Sequence, residues 1–282
     1  MRVKKQNTTK SKSTNDVYLL DVLLLVLMPV IATLVTLRLD INFVTASLLF
    51  FGLPAAYLSV RTCQYVPRAA LFSLVATCGC IVINYFAIRD GSWYVPETAF
   101  GFRFPGDMVL DDMLWAFLLI YLVVMFYEHF FDKGRHAVAG KSLVYFVFLV
   151  LGLLLLFTML QALVPSALHY FYLKAGVILL LLPVVALSVA FPKYLSIALK
   201  TFPYFFTLSL LMLLAGLHNG YWVYPGEHFI GWVSVFGHKV PVEEILFWIA
   251  LFSTAVIMYF EFFDDNRARL PQRLARKLHL RH

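Results

Sequence analysis

Charged residues and cysteines are both scarce in this chain of 282 residues. Only 14% of the residues are charged, whereas 61% are hydrophobic, and this composition excludes an ordinary water-soluble domain. The three cysteines, Cys63, Cys78 and Cys80, are too few for a disulfide framework, and Cys78 and Cys80 lack the spacing and the histidine partners of a metal site. We therefore expect the cysteines to be packing residues.

Long hydrophobic runs, by contrast, are abundant. A helix needs about 20 apolar residues to cross a bilayer, and runs of roughly this length recur along the whole chain. We predict an all-α, polytopic membrane protein with eight transmembrane helices, near residues 17–37, 42–60, 69–88, 108–131, 142–164, 169–191, 202–217 and 241–263.

The basic residues are unevenly distributed between the two sides of this predicted bundle. An excess of lysine and arginine marks cytoplasmic loops, and 18 of the 23 basic residues lie in the N-terminal arm, the tail after residue 264 and the loops 61–68, 131–141 and 192–200. We predict a multi-pass protein of the cell (inner or plasma) membrane with both termini in the cytoplasm. The loops 89–107 and 218–240 would then face outward.

The basic arm 1–16 and the basic tail 268–282 flank the predicted bundle. No small-residue cleavage site follows the arm, so the first hydrophobic run is expected to stay as an uncleaved helix. We expect both segments to contact anionic lipid head groups rather than nucleic acid. Near the cytoplasmic helix ends, Glu128, Glu261, Asp264 and Asp265 are expected to form surface ion pairs with Arg135 and Arg267.

The sequence contains an internal repeat. Residues 107–135 align with 239–267 without a gap, and 53–60 match 182–189 at an offset of 129. We predict two repeats of four helices, a degenerate one over 17–141 and a second one over 142–267. Because four is an even number, both repeats start on the same side, so they would be parallel about an axis along the membrane normal, with the site where they meet.

The repeat aligns two pairs of adjacent carboxylates, Asp111-Asp112 and Glu243-Glu244. One interpretation is structural, because Pro241 suits a helix start and acidic residues in the first turn are favoured by the helix dipole. The other is functional. Carboxylates are costly in a bilayer, and neighbours on a helix point about 100° apart, so both cannot face water. A carboxyl group that keeps its proton in apolar surroundings can act as a Brønsted acid.

Several residues around the second pair stand in a recognisable order: Trp222, Gly231, Pro241-Val242-Glu243-Glu244 and Phe247-Trp248. Over about 217–267 the chain resembles the membrane-embedded lycopene cyclase domain family, the heterodimeric or fused type found in some bacteria, archaea and fungi. The resemblance is weaker over 84–135. There the motif reads Val109-Leu110-Asp111-Asp112, and Asn84 stands where the family often has an aspartate. This copy could therefore bind substrate without catalysing.

The resemblance implies a carotenoid cyclase without a flavin motif, and we predict no metal and no other cofactor. A proton would add to the terminal double bond of an acyclic carotenoid, the cation would close the ring, and a proton would then leave. Glu243 and Glu244 would carry the proton transfers, with Asp111 and Asp112 as the partner pair. The implied partners are membrane lipids, the carotenoid and other carotenoid-biosynthesis enzymes. Aromatic side chains would stabilise the cation, and the candidates are Trp93, Trp115, Trp222, Trp232, Trp248 and Phe247.

Other classes fit less well. The tryptophans could instead be anchors at the membrane interface, where tryptophan concentrates for physical reasons alone. The ten-residue spacing of His218, His228 and His238 fits no metal site. A prenyltransferase would need a second acidic motif, a retinal protein would need a lysine in the last span, and a paired-glutamate protease would need an arginine there. The non-enzyme alternative is a membrane protein that binds or assembles a polyene or another lipid without catalysis.

Overall fold

The structure, a computed structural model, describes residues 3–132, 143–190, 192–226 and 228–263. Helices lie in each of the eight predicted segments, and in the described part of the chain six helices are long and apolar enough to cross a membrane. The chain thus has the apolar helices of a helical membrane protein, as predicted. The tail 268–282 and most of the loop 131–141 lie outside the described residues.

The helices follow one another with short connections on one side and two long loops on the other. Helix α1 begins at Val3, within the predicted basic arm. The principal helices are α1 (Val3–Arg38), α2 (Phe43–Arg61), α3 (Cys63–Arg89), α4 (Leu110–Asp132), α5 (Leu143–Leu163), α6 (Phe171–Val189), α7 (Pro192–His218) and α8 (Phe252–Phe263).

The segment before α8 differs from the prediction. A two-stranded antiparallel hairpin, β1 (Trp232–Val235) and β2 (His238–Pro241), lies in the loop that follows α7, so the chain is not purely helical. Pro241 ends β2 instead of lying in the first turn of a helix. A π-helical segment, Glu244–Ile249, follows and is separated from α8 by a turn. The predicted span 241–263 is therefore interrupted.

Helix α4 is the centre of the bundle. Two thirds of its apolar window is buried, against 28% for α1, and it packs against α2, α3 and α8. In contrast, α1 and α5 keep large apolar side chains exposed, such as Leu23 and Leu155. Apolar surfaces of this kind suit contact with lipid.

The burial of acidic residues near the ends of α4 and α8 overturns the prediction of surface ion pairs. Glu128 and Glu261 are buried, so they do not form surface ion pairs. Instead, a guanidinium nitrogen of Arg68 lies 3.0 Å from a carboxylate oxygen of Glu128, and the Tyr127 hydroxyl donates a hydrogen bond to Glu261. Asp264, Asp265 and the predicted partners Arg135 and Arg267 lie outside the described residues.

Candidate functional site

A cavity of about 60 Å³ lies where the loops 89–107 and 218–240 meet the helix ends. This volume is several times what one water molecule requires. Both halves of the chain contribute to its wall, which consists of Phe43, Cys80, Ile83, Asn84, Trp93, Asp112, Trp115, Tyr172, Trp222, Tyr224, Glu244, Trp248 and Phe252.

Glu244 is the carboxylate that the second half contributes to this cavity. Its side chain is buried, and the hydroxyl of Tyr172 donates a hydrogen bond to its Oε2. Burial raises the pKa of the loop residue Tyr224 well above its usual value, and the nearby Glu244 carboxylate raises it further. Tyr224 is thus a second phenolic residue beside Glu244. The Tyr172 ring in turn stacks on Trp248, with 5.1 Å between the ring centroids.

Asp112 is the carboxylate that the first half contributes. It is also buried, and the side-chain amide of Asn84 donates a hydrogen bond to its Oδ2. Asn84 lies one turn from the end of α3, while Asp112 lies in the first turn of α4. The packing of α3 on α4 brings the amide and the carboxylate together at the cavity wall.

The other member of each pair, Glu243 or Asp111, does not line the cavity. It accepts hydrogen bonds from the preceding loop instead. Glu243 Oε1 accepts a hydrogen bond from the backbone N–H of Ile230 at 2.7 Å. Asp111 accepts one from the Thr98 hydroxyl at 2.5 Å and one from the backbone N–H of Ala99 at 2.8 Å. The structure thus brings together Glu244 and Asp112, but not Glu243 and Asp111, among the four predicted catalytic residues.

Four of the five predicted tryptophans line the cavity, namely Trp93, Trp115, Trp222 and Trp248. Trp222 fits because residue 216 is glycine: a Cβ atom there would overlap the indole ring. Trp222 also meets Phe43 edge to face, with 5.4 Å between centroids. Aromatic rings therefore surround Glu244 and Asp112 in the cavity wall.

The remaining predicted residues lie outside the wall. Trp232 stands in β1 opposite Pro241, is 43% exposed and packs on Phe229. Phe247 is buried against Gly176, where a Cβ atom would lie 2.5 Å from the Phe247 ring. The carbonyl of Gly231 accepts a hydrogen bond from the Val242 N–H at 3.0 Å and so ties the hairpin to the π-helical segment.

A second cavity, of about 70 Å³, adjoins the first. The two cavities share Cys80, Ile83, Trp248 and Phe252. The second one is lined almost entirely by apolar side chains of α3, α5, α6 and α8, and it reaches the partly exposed Leu149. A long apolar molecule could therefore place one end beside the carboxylates and leave the bundle beside α5.

Histidine and cysteine form no metal site in the described part of the chain. Among these residues, no group of three or more histidine, cysteine, aspartate or glutamate side chains could hold a metal ion. His228 Nδ1 lies 2.9 Å from Asp90 Oδ1, and the ring centroids of His218 and His238 are 6.4 Å apart.

Sequence reasoning missed four wall residues that matter: Phe43, Tyr172, Tyr224 and Cys80. Phe43 and Tyr172 are separated by 129 residues, the offset of the repeat, so the alignment could have identified them. Tyr224 lies between Trp222 and Pro225, which repeat Trp93 and Pro96 at the same offset of 129. Cys80 was expected only to pack, and it lies in the wall of both cavities.

No protein-family model, curated protein or solved structure matches the chain. Fold and site together define a helical membrane protein with an aromatic cavity that holds two buried carboxylates.

Proposed function

We propose that this protein is a lycopene-type carotenoid cyclase of the membrane-embedded family that its sequence resembles. The observation that supports this most is that Glu244 and Asp112, at equivalent positions of the repeat, line one aromatic cavity. Ring closure through a cation needs an acid and a base and is helped by aromatic faces, and this cavity offers two carboxyl groups among aromatic side chains. Expression in a host that accumulates the acyclic carotenoid tests the proposal, through the pigments that the cells then contain.

We further propose that eight spans form two parallel repeats, over 17–141 and 142–267. Residues at equivalent positions of the two halves line the same cavity, and they form the pairs Phe43 with Tyr172, Trp93 with Trp222, and Asp112 with Glu244.

The outer loops support the same symmetry. The Tyr94 N–H donates to the Val223 carbonyl at 3.1 Å, and the Val223 N–H donates to the Tyr94 carbonyl at 3.0 Å. These two residues are again 129 positions apart. Equivalent residues contact each other in this reciprocal way when they lie on a two-fold axis. The cavity would therefore lie near the axis that relates the two repeats.

The proposed reaction begins with proton transfer from the Glu244 carboxyl group to a carbon of the terminal double bond. The hydroxyl groups of Tyr172 and Tyr224 then stabilise the carboxylate that remains. A second double bond attacks the cation and closes the ring, while Trp93 and Trp222 offer aromatic faces to the charge. Asp112, positioned by Asn84, accepts the proton that leaves the new ring. The substrate keeps its composition, because one proton is added and one is removed. The proton on Asp112 must then return to the Glu244 carboxylate across the cavity before the next turnover, so that the protein regains its starting state.

The orientation of the bundle gives a first testable prediction. The excess of basic residues on one side predicts that a reporter fused after residue 282, or inserted within 131–141, lies in the cytoplasm. Paired alkaline phosphatase and green fluorescent protein fusions measure this directly. Phosphatase activity at both places would contradict the orientation, and activity at only one of them would contradict the even number of spans in the second repeat.

The second cavity gives another prediction, at Gly79. A Cβ atom there would lie 3.3 Å from Cγ2 of Val150, so Gly79→Leu combined with Val150→Ala should fill the cavity without a clash. Conversion of the full-length polyene should fall by about 10-fold or more, since displacing reacting atoms by about 1 Å can cost up to 10²-fold. A truncated polyene with the same end group should still be converted.

Val150→Ala alone and Gly152→Leu are the matched controls for this prediction. Gly152 lies in α5, and a Cβ atom added to it would have nothing within 4 Å, so a leucine side chain fits there. Equal conversion of long and short polyenes by the Gly79 variant would show that the substrate does not pass through the second cavity.

A second candidate function is non-catalytic binding of a polyene or another lipid. The indole N–H groups of Trp115 and Trp248 are enclosed, and neither has a hydrogen-bond partner among the described residues. A ligand that carries an oxygen atom would satisfy them, whereas a pure hydrocarbon would not. If this function is the correct one, the pigment should copurify with the protein, and the chemical structure of the pigment should be unchanged.

A further inference from the structure

A third cavity lies on the other side of the bundle and is far larger, at about 520 Å³. It is a groove between α1 and α7, with aromatic side chains of α4 as its floor. Val22, Val26 and Val30 form one wall, and Tyr204 and Leu208 belong to the other. The groove shares no lining residue with the carboxylate cavity, so it is a separate site.

The dimensions of the groove match one leaflet of a bilayer. Its wall on α7 runs from Lys200 to Leu211, and at 1.5 Å per residue these positions are about 16 Å apart along the helix. Half the hydrocarbon thickness of a bilayer is about 15 Å. Lys200 marks the end that lies on the basic side of the protein, so the groove extends from the cytoplasmic head-group level to about the bilayer centre.

Polar groups are concentrated at the basic end of the groove. Lys200 is the one charged residue in the described lining. One turn deeper, the Tyr204 ring stacks on Phe126, with 4.9 Å between centroids. This stacking fixes the phenol in the wall. The Tyr204 hydroxyl is enclosed and has no hydrogen-bond partner among the described residues, which costs about 1–3 kcal/mol when nothing else satisfies it.

We propose that the groove binds a phospholipid with an anionic head group from the cytoplasmic leaflet. The phosphate would lie beside the Lys200 ammonium group, a glycerol or ester oxygen would accept a hydrogen bond from the Tyr204 hydroxyl, and an acyl chain would fill the groove as far as Leu211. Charge complementarity favours this occupant, because the described lining offers one cation and no acidic residue. The bound lipid would contact both α1 and α7 and so hold them together. The proposal does not depend on the cyclase reaction.

The test uses the purified full-length protein in detergent, with phosphatidylglycerol or phosphatidylcholine of identical chains as the probe. Native mass spectrometry counts the bound lipid, and thermal unfolding gives its apparent affinity. Phosphatidylglycerol should bind more tightly and saturate at one molecule per chain. Lys200→Gln should weaken its binding about fivefold, the factor that corresponds to about 1 kcal/mol per basic residue near an anionic surface.

Three further variants sharpen the result. Lys239→Gln removes the same charge from an exposed outer position and should leave lipid binding unchanged. Tyr204→Phe should weaken binding of both lipids, while its lipid-free stability should equal or exceed that of the unmodified protein, since an unsatisfied hydroxyl is lost. Thr207→Trp should fill the groove and abolish binding of both lipids.

Several results would overturn the proposal. Equal affinities in Lys200→Gln and Lys239→Gln would remove the assigned head-group contact. Lipid binding that survives Thr207→Trp would place the lipid elsewhere. A dimer that Thr207→Trp dissociates, with no dependence on lipid, would show that a second copy of the chain occupies the groove.

Discussion

Replacement of Glu244 by glutamine is expected to abolish conversion of the acyclic polyene. Glutamine has the shape of glutamate and still accepts a hydrogen bond from Tyr172, but it has no proton to give to a carbon atom. Loss of one general acid costs about 10²–10⁴-fold in rate. Quantifying cyclic and acyclic pigments by chromatography, at matched levels of inserted protein, measures the effect.

Glu243→Gln is the matched control, because the substitution is the same and the position is adjacent. Glu243 fastens Ile230 through its Oε1, and the glutamine oxygen can still accept that hydrogen bond. We therefore expect this variant to keep most of its activity. Near-normal activity in Glu244→Gln, or abolished activity in Glu243→Gln alone, would contradict the assignment of the two residues.

Asp112→Asn is expected to reduce turnover by about 10²-fold, the lower end of a general base contribution. An asparagine oxygen can still accept the hydrogen bond from Asn84, so the variant removes the basic group and little else. Combining Asp112→Asn with Glu244→Gln should add little further loss, because residues that act as a unit are not additive. Single-turnover rates with a solubilised polyene provide the measurement.

Asp111→Asn is the control for this second variant. Asp111 accepts hydrogen bonds from Thr98 and Ala99 and does not line the cavity. Its substitution should lower the melting temperature more than it lowers turnover. If Asp111→Asn and Asp112→Asn lose the same activity at equal stability, the first half contributes only to the shape of the cavity.

The general class of the fold followed from the sequence because long apolar runs are visible directly in the order of the residues. The four carboxylates were found for the same reason, since acidic residues are rare in apolar helices. Which member of each pair faces the cavity was not predictable. The second member faces the cavity in both halves, although Asp112 lies in an α-helix and Glu244 in a π-helical segment, so the choice depends on packing against the rest of the bundle.

Other parts of the site depend on tertiary contacts. Trp232 resembled the other tryptophans in sequence, yet the unpredicted hairpin places it away from the cavity. Glu128 and Glu261 were expected at the surface, because the sequence does not show that α4 and α8 are the central helices. Phe43 and Tyr172 could have been paired from the sequence, because they are separated by the repeat offset of 129. An aromatic residue in an apolar helix, however, does not by itself indicate a functional site.

The most direct measurement is expression of the unmodified protein in a bacterial host that accumulates lycopene, followed by pigment extraction and chromatography. We expect cyclic products to replace the acyclic carotenoid, and the same host with Glu244→Gln to retain only the acyclic pigment. An unchanged acyclic pigment, with the unmodified protein inserted at a normal level, would contradict the proposed reaction.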